Sequence, residues 1–336
     1  MAVPMRLALL PFLLLTVIVL ALSVGRYPLA PADIFAYLGA VLGLVELPPE
    51  RFDLLHNLIV EIRLPRVLAA GLIGAALSAS GASFQAVFRN PLVSPGILGV
   101  LGGAGFGAAL GILLSGDFLT IQLSAFAMGL VAVGVGVIVA NLFGAASMVT
   151  LVLGGMISGA LFTSALSLVK YAADPYDQLP AIVYWMMGSL GAVDLKQLRG
   201  AALPILAGVG ALAAAGRALD ALSMGDDEAR SLGVPVHATR YGVIIAATLV
   251  SSLSVSLAGM IGWVGLVVPH VARLAIGPTN SRLLPASALL GATFLIAADC
   301  VARNITRAEI PIGVVTELLG IPAFILVLGR ARRAWA

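Results

Sequence analysis

Residues 118–169 read FLTIQLSAFAMGLVAVGVGVIVANLFGAASMVTLVLGGMISGALFTSALSLV and contain no Asp, Glu, Lys or Arg. A helix needs about 20 apolar residues to cross the hydrocarbon core of a bilayer, so this stretch has the length of two crossings. Asn141-Leu-Phe-Gly144 in its middle supplies turn residues. The run is too long and too uniformly apolar for the alternating strands of a barrel, and lipid cannot satisfy an open backbone, so the spans are helices.

The distances between charges serve as a ruler over the rest of the chain. Residues 7–25, 67–88 and 90–116 each hold one span, and 200–216 holds another once flanking residues are added. The run 241–272 is read as two spans broken near Gly259-Met-Ile-Gly262-Trp-Val-Gly265, and 283–298 and 310–329 complete the set. The expectation is an all-α integral membrane protein of about ten helices, with residues 1–336 forming one transmembrane domain. Composition agrees: 60% of residues are hydrophobic and 10% charged, against about a quarter charged in soluble proteins, and the mean hydropathy is +1.09. Arg6 and Ala21-Leu-Ser23 imitate a signal peptide, but the stretch is long enough to span, and a retained first helix is the simpler reading. An even helix count places both termini on one side. The 19 Lys and Arg residues divide ten to nine between the two sides, so their bias does not decide the side, although Arg330-Ala-Arg-Arg333 favours a cytoplasmic C-terminus.

Several classes are excluded early. The net charge of +3 includes no basic run with interleaved aromatics, which sets nucleic acid aside. Cys300 is the single cysteine, so no intramolecular disulfide forms, and His56, His237 and His270 lie too far apart for a His-x-x-x-His zinc pair. Lys170 and Lys196 follow Val and Leu, so no phosphate-binding Gly-x-x-x-x-Gly-Lys string exists and nucleotide-driven work needs a partner. Ser80, Ser83 or Ser158 with His270, or Asp117 and Asp299, imitate intramembrane protease pairs. Small-residue pairs are expected in so Ala-, Ser- and Gly-rich a chain, however, and no Gly-x-Gly-Asp motif is present. His270 reads as a structural polar group.

The remaining polar islands each admit two readings. Gly99, Gly103, Gly107 and Gly111 form a ridge that is either a packing groove within one subunit or a dimer or pathway face. Arg63-Leu-Pro-Arg66 and Arg303 stand at span borders, as helix anchors or as an electropositive dock for acidic groups. Arg89-Asn-Pro-Leu-Val-Ser-Pro-Gly96 forces a rigid turn, a connector or the lining of a gate. Ser223-Met-Gly-Asp226-Asp-Glu-Ala-Arg230-Ser-Leu-Gly233-Val-Pro235 reads as a short helix with Ser223 as N-cap, acids in its first turn and Gly233 and Pro235 as terminators. It is either a solvated connector or a docking helix for a soluble partner. Asp299 and Glu317 fall in or near spans, where a charge needs a partner or water; Asp299 has Arg303 four residues on, whereas Glu317 has no local partner.

Four strings, RLPRVLAAGLIGAALSASGASFQAVFRNPLVSPGILG, GDDEARSLGV, GMIGWVGLVVPHVARLAIGP and ADCVARNITRAEIPIGVVTELLGIPAF, together resemble the FecCD-type permease subunits of ABC importers for ferric siderophores, haem and cobalamin. The resemblance runs from about residue 60 to the C-terminus. It implies the type II ABC importer permease fold, a homodimer or pseudo-dimer in the inner membrane with both termini cytoplasmic, two copies of a cytoplasmic ATPase, and a periplasmic or lipid-tethered binding protein. By position, Arg63, Arg66 and Arg303 look like the family's receptors for glutamates of the binding protein. Residues 215–238 look like its cytoplasmic coupling segment, with Ser223, Gly225, Asp226, Asp227, Glu228, Arg230, Leu232 and Gly233 at the ATPase. Asn90 and Leu92 resemble one gate turn and Ser147, Met148 and Val149 a second, although relatives often carry small polar residues where this chain has Met and Val. Glu317 matches no familiar feature of the motif. No catalysis, cofactor or metal in this chain is implied. The rival class is a stand-alone carrier or channel using an ion gradient, for which only Asp299 and Glu317 are candidate ion ligands.

Overall fold

The computed structural model describes residues 3–142 and 148–335, and Ser147 of the expected second gate lies outside the described residues. The chain opens with α1 (Val3–Ser23), α2 (Pro31–Val41) and α3 (Pro49–His56), which passes through a π-helical stretch, Asn57–Arg63, into α4 (Leu64–Val87). A 3-10 turn, Pro95–Leu98, leads into α5 (Val100–Leu114), followed by α6 (Phe118–Leu142), α7 (Met148–Ala172) and α8 (Gln178–Met187). Then come α9 (Leu195–Ala214), the short α10 (Gly216–Met224) and α11 (Asp226–Ser231), and α12 (Val236–Ala258), α13 (Val264–Ile276), α14 (Asn280–Asn304) and α15 (Ile312–Trp335).

Among the described residues, seven helical segments are long and apolar enough to cross a membrane: α1, the continuous α3–α4 segment, α6, α7, α9, α12 and α14. Four shorter apolar helices accompany them, α2, α5, α13 and the Ile312–Leu326 part of α15, and the last three fall in runs read as spans. The hairpin read from residues 118–169 is present as α6 and α7, and the break near 259–265 falls between α12 and α13. Two spans have different ends from those expected. The run 90–116 is helical as α5 only from Val100, because two prolines and the turn between them occupy its first part. The span expected over 67–88 extends back to Pro49, because the wider π-helical turn lets the helix pass Pro65, whose nitrogen cannot donate.

The packing is built on backbone contact. A Cβ on Gly74 of α4 would stand 2.2 Å from the Gly291 carbonyl oxygen of α14, and one on Gly81 would stand 1.8 Å from that of Gly265 in α13. Small residues let helices approach where apolar burial gives no net drive against lipid. The ridge Gly103, Gly107 and Gly111 lies against Met128, Ser124 and Ile121 of α6, which makes it a packing groove inside one subunit; Gly99 faces Gly159 of α7.

At 24 residues, α4 is about 36 Å long, so Arg63 and Arg66 at its start and Arg89 just past its end occupy opposite faces of the bilayer. α14 runs antiparallel beside it, with Asn280 at the Arg89 end and Arg303 at the other. Arg6 donates to the Ala275 carbonyl at 2.9 Å, and Arg273, two residues earlier in α13, donates to Gln85 near the end of α4, which brings the start of α1 to the Arg89 end. α15 starts at the opposite end, where the Ile312 amide donates to Gly188, so both terminal helices point their free ends to the Arg89 side. We expect Gly81→Ala to lower the melting temperature of the detergent-solubilised protein by the equivalent of about 1–3 kcal/mol or more. Gly134→Ala in α6, with open space around it, should leave melting unchanged or raise it.

Candidate functional site

The structure gathers Arg63, Arg66 and Arg303 around one cavity of about 590 Å³ at the start of α4, together with Glu61, Asp194 and Glu309. Arg63 is itself buried. Its guanidinium donates to the carbonyls of Leu22 and Tyr27, and to that of Ser23 at 3.0 Å, which fastens the end of α1 and the following turn. Arg66 bridges two carboxylates: Nε donates to Asp299 at 2.9 Å and Nη1 to Glu309 at 2.7 Å. The expected Asp299–Arg303 pair is present, with Nε 3.0 Å from Oδ2. That contact falls outside hydrogen-bond geometry and is chiefly coulombic. Asp299 is 1% exposed, so its charge is sustained by two guanidiniums. Glu309 was not singled out in the sequence, since it lies 243 residues from Arg66 and no periodicity links them.

The opposite end carries the expected coupling segment. α10 is tied to the start of α14: the Asp220 carboxylate accepts from the amides of Asn280 at 2.5 Å and Ser281 at 3.2 Å, and so caps that helix from a distance. Asn280 Nδ2 in turn donates to Ser223 Oγ at 3.1 Å. Ser223 is therefore not an N-cap. It lies inside α10 and its hydroxyl donates back to Leu219, because the chain breaks two residues later at Gly225, whose φ of 146° suits glycine. The expected capped helix is thus present as α11, which starts three residues after Ser223, at Asp226, with Gly225 as its N-cap. α11 does carry Asp226, Asp227 and Glu228 in its first turn and ends at Gly233, with φ 79°, where the amides of Gly233 and Val234 return to Arg230 and Ala229. Asp227, Glu228, Arg230 and Leu232 point outward, and only Ala229 of this helix is buried.

The turn expected to form a gate meets that segment. Asn90 Oδ1 accepts from the Leu92 amide at 3.0 Å, closing an Asx turn, and Leu92 is half exposed. Arg89 Nη2 donates to Asp226 at 2.6 Å, and Arg240 of α12 reaches both Asp226 oxygens at 3.0 Å. The Arg240 guanidinium, with Arg89 as second donor, holds the Asp226 carboxyl below its usual range against an opposing push from partial burial. The pairing is therefore complete at neutral pH and above the unfolded value, and is lost only as pH falls through the depressed one. Met148 packs on the apolar cluster that holds Val93, Leu98, Leu222 and Ala229, which joins the second expected gate to the first; Val149 is exposed. Glu317 is exposed on α15, its carboxylate 3.6 Å from where a Cβ on Gly262 would stand.

Seven spanning helices with shorter apolar helices between them, and charged clusters gathered mainly at two opposite ends, are among the described residues the architecture of a multi-pass membrane protein. The model of the FecCD transport family matches residues 13–330. The chain is 35% identical over 324 residues to the molybdate import system permease protein MolB of Haemophilus influenzae, covering 96% of this chain and 95% of that protein. It is 38% identical over 330 residues to the vitamin B12 import system permease protein BtuC of Escherichia coli, covering 96% and 94%. A solved structure described as an inward-facing conformation of a metal-chelate type ABC transporter matches with a TM-score of 0.85 at 35% identity, over 97% of this chain and 99% of that one. The chain belongs to the FecCD transport family and is an ABC importer permease, not a gradient-driven carrier. Replacing Asp299 by Asn should cost about 3–5 kcal/mol of stability in detergent melting, because buried guanidiniums lose their counter-charge. Arg230→Ala removes a 2.5 Å pair to an Asp227 that is 93% exposed, and should cost under about 1 kcal/mol.

Proposed function

We propose that this chain passes an iron-siderophore, haem or cobalamin-type chelate from a binding protein into the cytoplasm, with energy from a separate ATPase. The observation that carries this reading is the separation of a guanidinium-lined cavity from a pair of short polar helices by the full length of α4. The binding protein, periplasmic or lipid-tethered, docks over the cavity and offers carboxylates to Arg66, Arg303 and Arg63. Arg66 is the most accessible of the three, at 13% side-chain exposure, and Glu309 holds the place of an incoming carboxylate. Two ATPase copies seat on residues 223–233 of two permease copies, with both termini cytoplasmic. Asn90 and Leu92, with residues 147–149, close the path on that side.

The cargo reading has support from Glu317. A carboxylate exposed on a membrane-crossing helix requires a protein or water neighbour instead of lipid, so this face of α15 lies toward the second copy and the path between them. A negative charge there repels a small dianion such as molybdate, and a chelate without net negative charge, such as a cobalamin-type one, is not repelled. Arg66→Gln in the reconstituted importer should weaken binding-protein affinity about tenfold, equivalent to about 1.4 kcal/mol, while leaving ATP hydrolysis by the undocked complex intact. Unchanged affinity would move the dock elsewhere. The permease without ATPase should show no uphill uptake in proteoliposomes, and titrating the cognate binding protein with chelates and with molybdate should show capture of a chelate; capture of molybdate alone would overturn the cargo assignment.

A further inference from the structure

We propose that the Arg89–Asp226 ion pair is the strut through which movement of the coupling helix α11 reaches the cytoplasmic gate, with Arg89 as its positioning residue. This rests on the reading of residues 223–233 as the ATPase seat and of Asn90 and Leu92 as a gate.

Two independent features single out Arg89. The first is its backbone. The end of α4 closes with the Arg89 amide donating to Ala86 and the Asn90 amide to Gln85, a helix stop that places Arg89 in the left-handed region at φ 48°. Glycine is the usual residue at that position, because a Cβ there is strained. A strained backbone persists where the surroundings over-determine it, and it marks functional positions. The second is its side chain, which makes two bonds to the coupling segment: Nε donates to the Leu222 carbonyl at 2.9 Å in α10 and Nη2 to Asp226 at 2.6 Å at the start of α11. Glycine would relieve the backbone and lose both bonds.

The geometry on either side of the pair suits transmission. Asp226 is also gripped by Arg240 on α12, so displacement of α11 pulls on a carboxylate held between a span and the gate turn. Beyond Arg89 little slack is available: Asn90 caps the Leu92 amide, Pro91 fixes its own φ, and the Val93 amide donates to the Asn90 carbonyl. A shift of the guanidinium therefore moves the turn as a unit. Asn90 and Leu92 remain exposed to carry that shift into the path, while Val93 is buried in the apolar cluster shared with Ala229 of α11.

The test uses the complete reconstituted importer. Arg89→Gly should melt at the wild-type temperature or above, because strain is removed, and should retain ATP hydrolysis while uptake falls about tenfold, within the range usual for coupling between sites. A merely structural tether predicts the reverse, lower melting with uptake and hydrolysis falling together. A direct readout is the labelling rate of Leu92→Cys, in a Cys300→Ser background, by a thiol reagent with and without a non-hydrolysable ATP analogue. With Arg89 present the rate should change on adding nucleotide, and with Arg89→Gly that change should vanish. A nucleotide-dependent change that survives Arg89→Gly overturns the strut. No change even with Arg89 present overturns the gate reading on which the strut rests.

Discussion

Hydrocarbon offers no hydrogen bonds and no screening, and that constraint orders this molecule. The backbone closes its own bonds in helices, most charges are driven to the two faces, and the enclosed Asp299 carboxylate is paired with two guanidiniums. With apolar burial giving helices no net reason to associate, close backbone contact takes over, at Gly74 against Gly291 and Gly81 against Gly265. The same exclusion of charge that makes the chain insoluble sorts most of its ion pairs into two remote clusters, one at each end of α4 and α14.

The two ends differ in electrostatic character. At the cavity end, Asp299 is almost fully enclosed and shared by Arg66 and Arg303, and Arg63 is committed to three carbonyls of the α1 end. Breaking such a cluster strands buried charge, so it holds its geometry and presents a fixed surface. At the other end Asp226 is a third exposed between a half-exposed Arg89 and a buried Arg240, α11 is six residues long, and only Ala229 of that helix is buried. Pairs that meet water are worth less than enclosed ones, so the cavity end is the stiffer of the two.

Much of this was legible in the sequence. Charge spacing found the spans, because an unpaired charge at depth is costly enough to be excluded from nearly every run. It also found Asp299 with Arg303, since four residues is one helical turn. The short helices α2, α3 and α8 escaped, because none has the length of a span and charges break up α3. Ser223 was misread because a serine followed by acids imitates a capped start, while the break at Gly225 depends on a φ of 146° that no spacing encodes. The partners of Arg66 and Arg89 were hidden for a simpler reason: Glu309 and Asp226 lie 243 and 137 residues away, and a single sequence carries no trace of contacts between remote helices.

The backbone contacts along α4 bear on how the ends communicate. A helix whose glycines touch two neighbours directly, with no side chain between, has little room to slide or bend independently of them, since a shift of a few tenths of an ångström already meets carbonyl oxygens. α4, α13 and α14 therefore move as one body. A displacement at the Arg89 end consequently reaches the cavity end as rigid-body tilting of that body against its surroundings instead of a rearrangement of individual side chains.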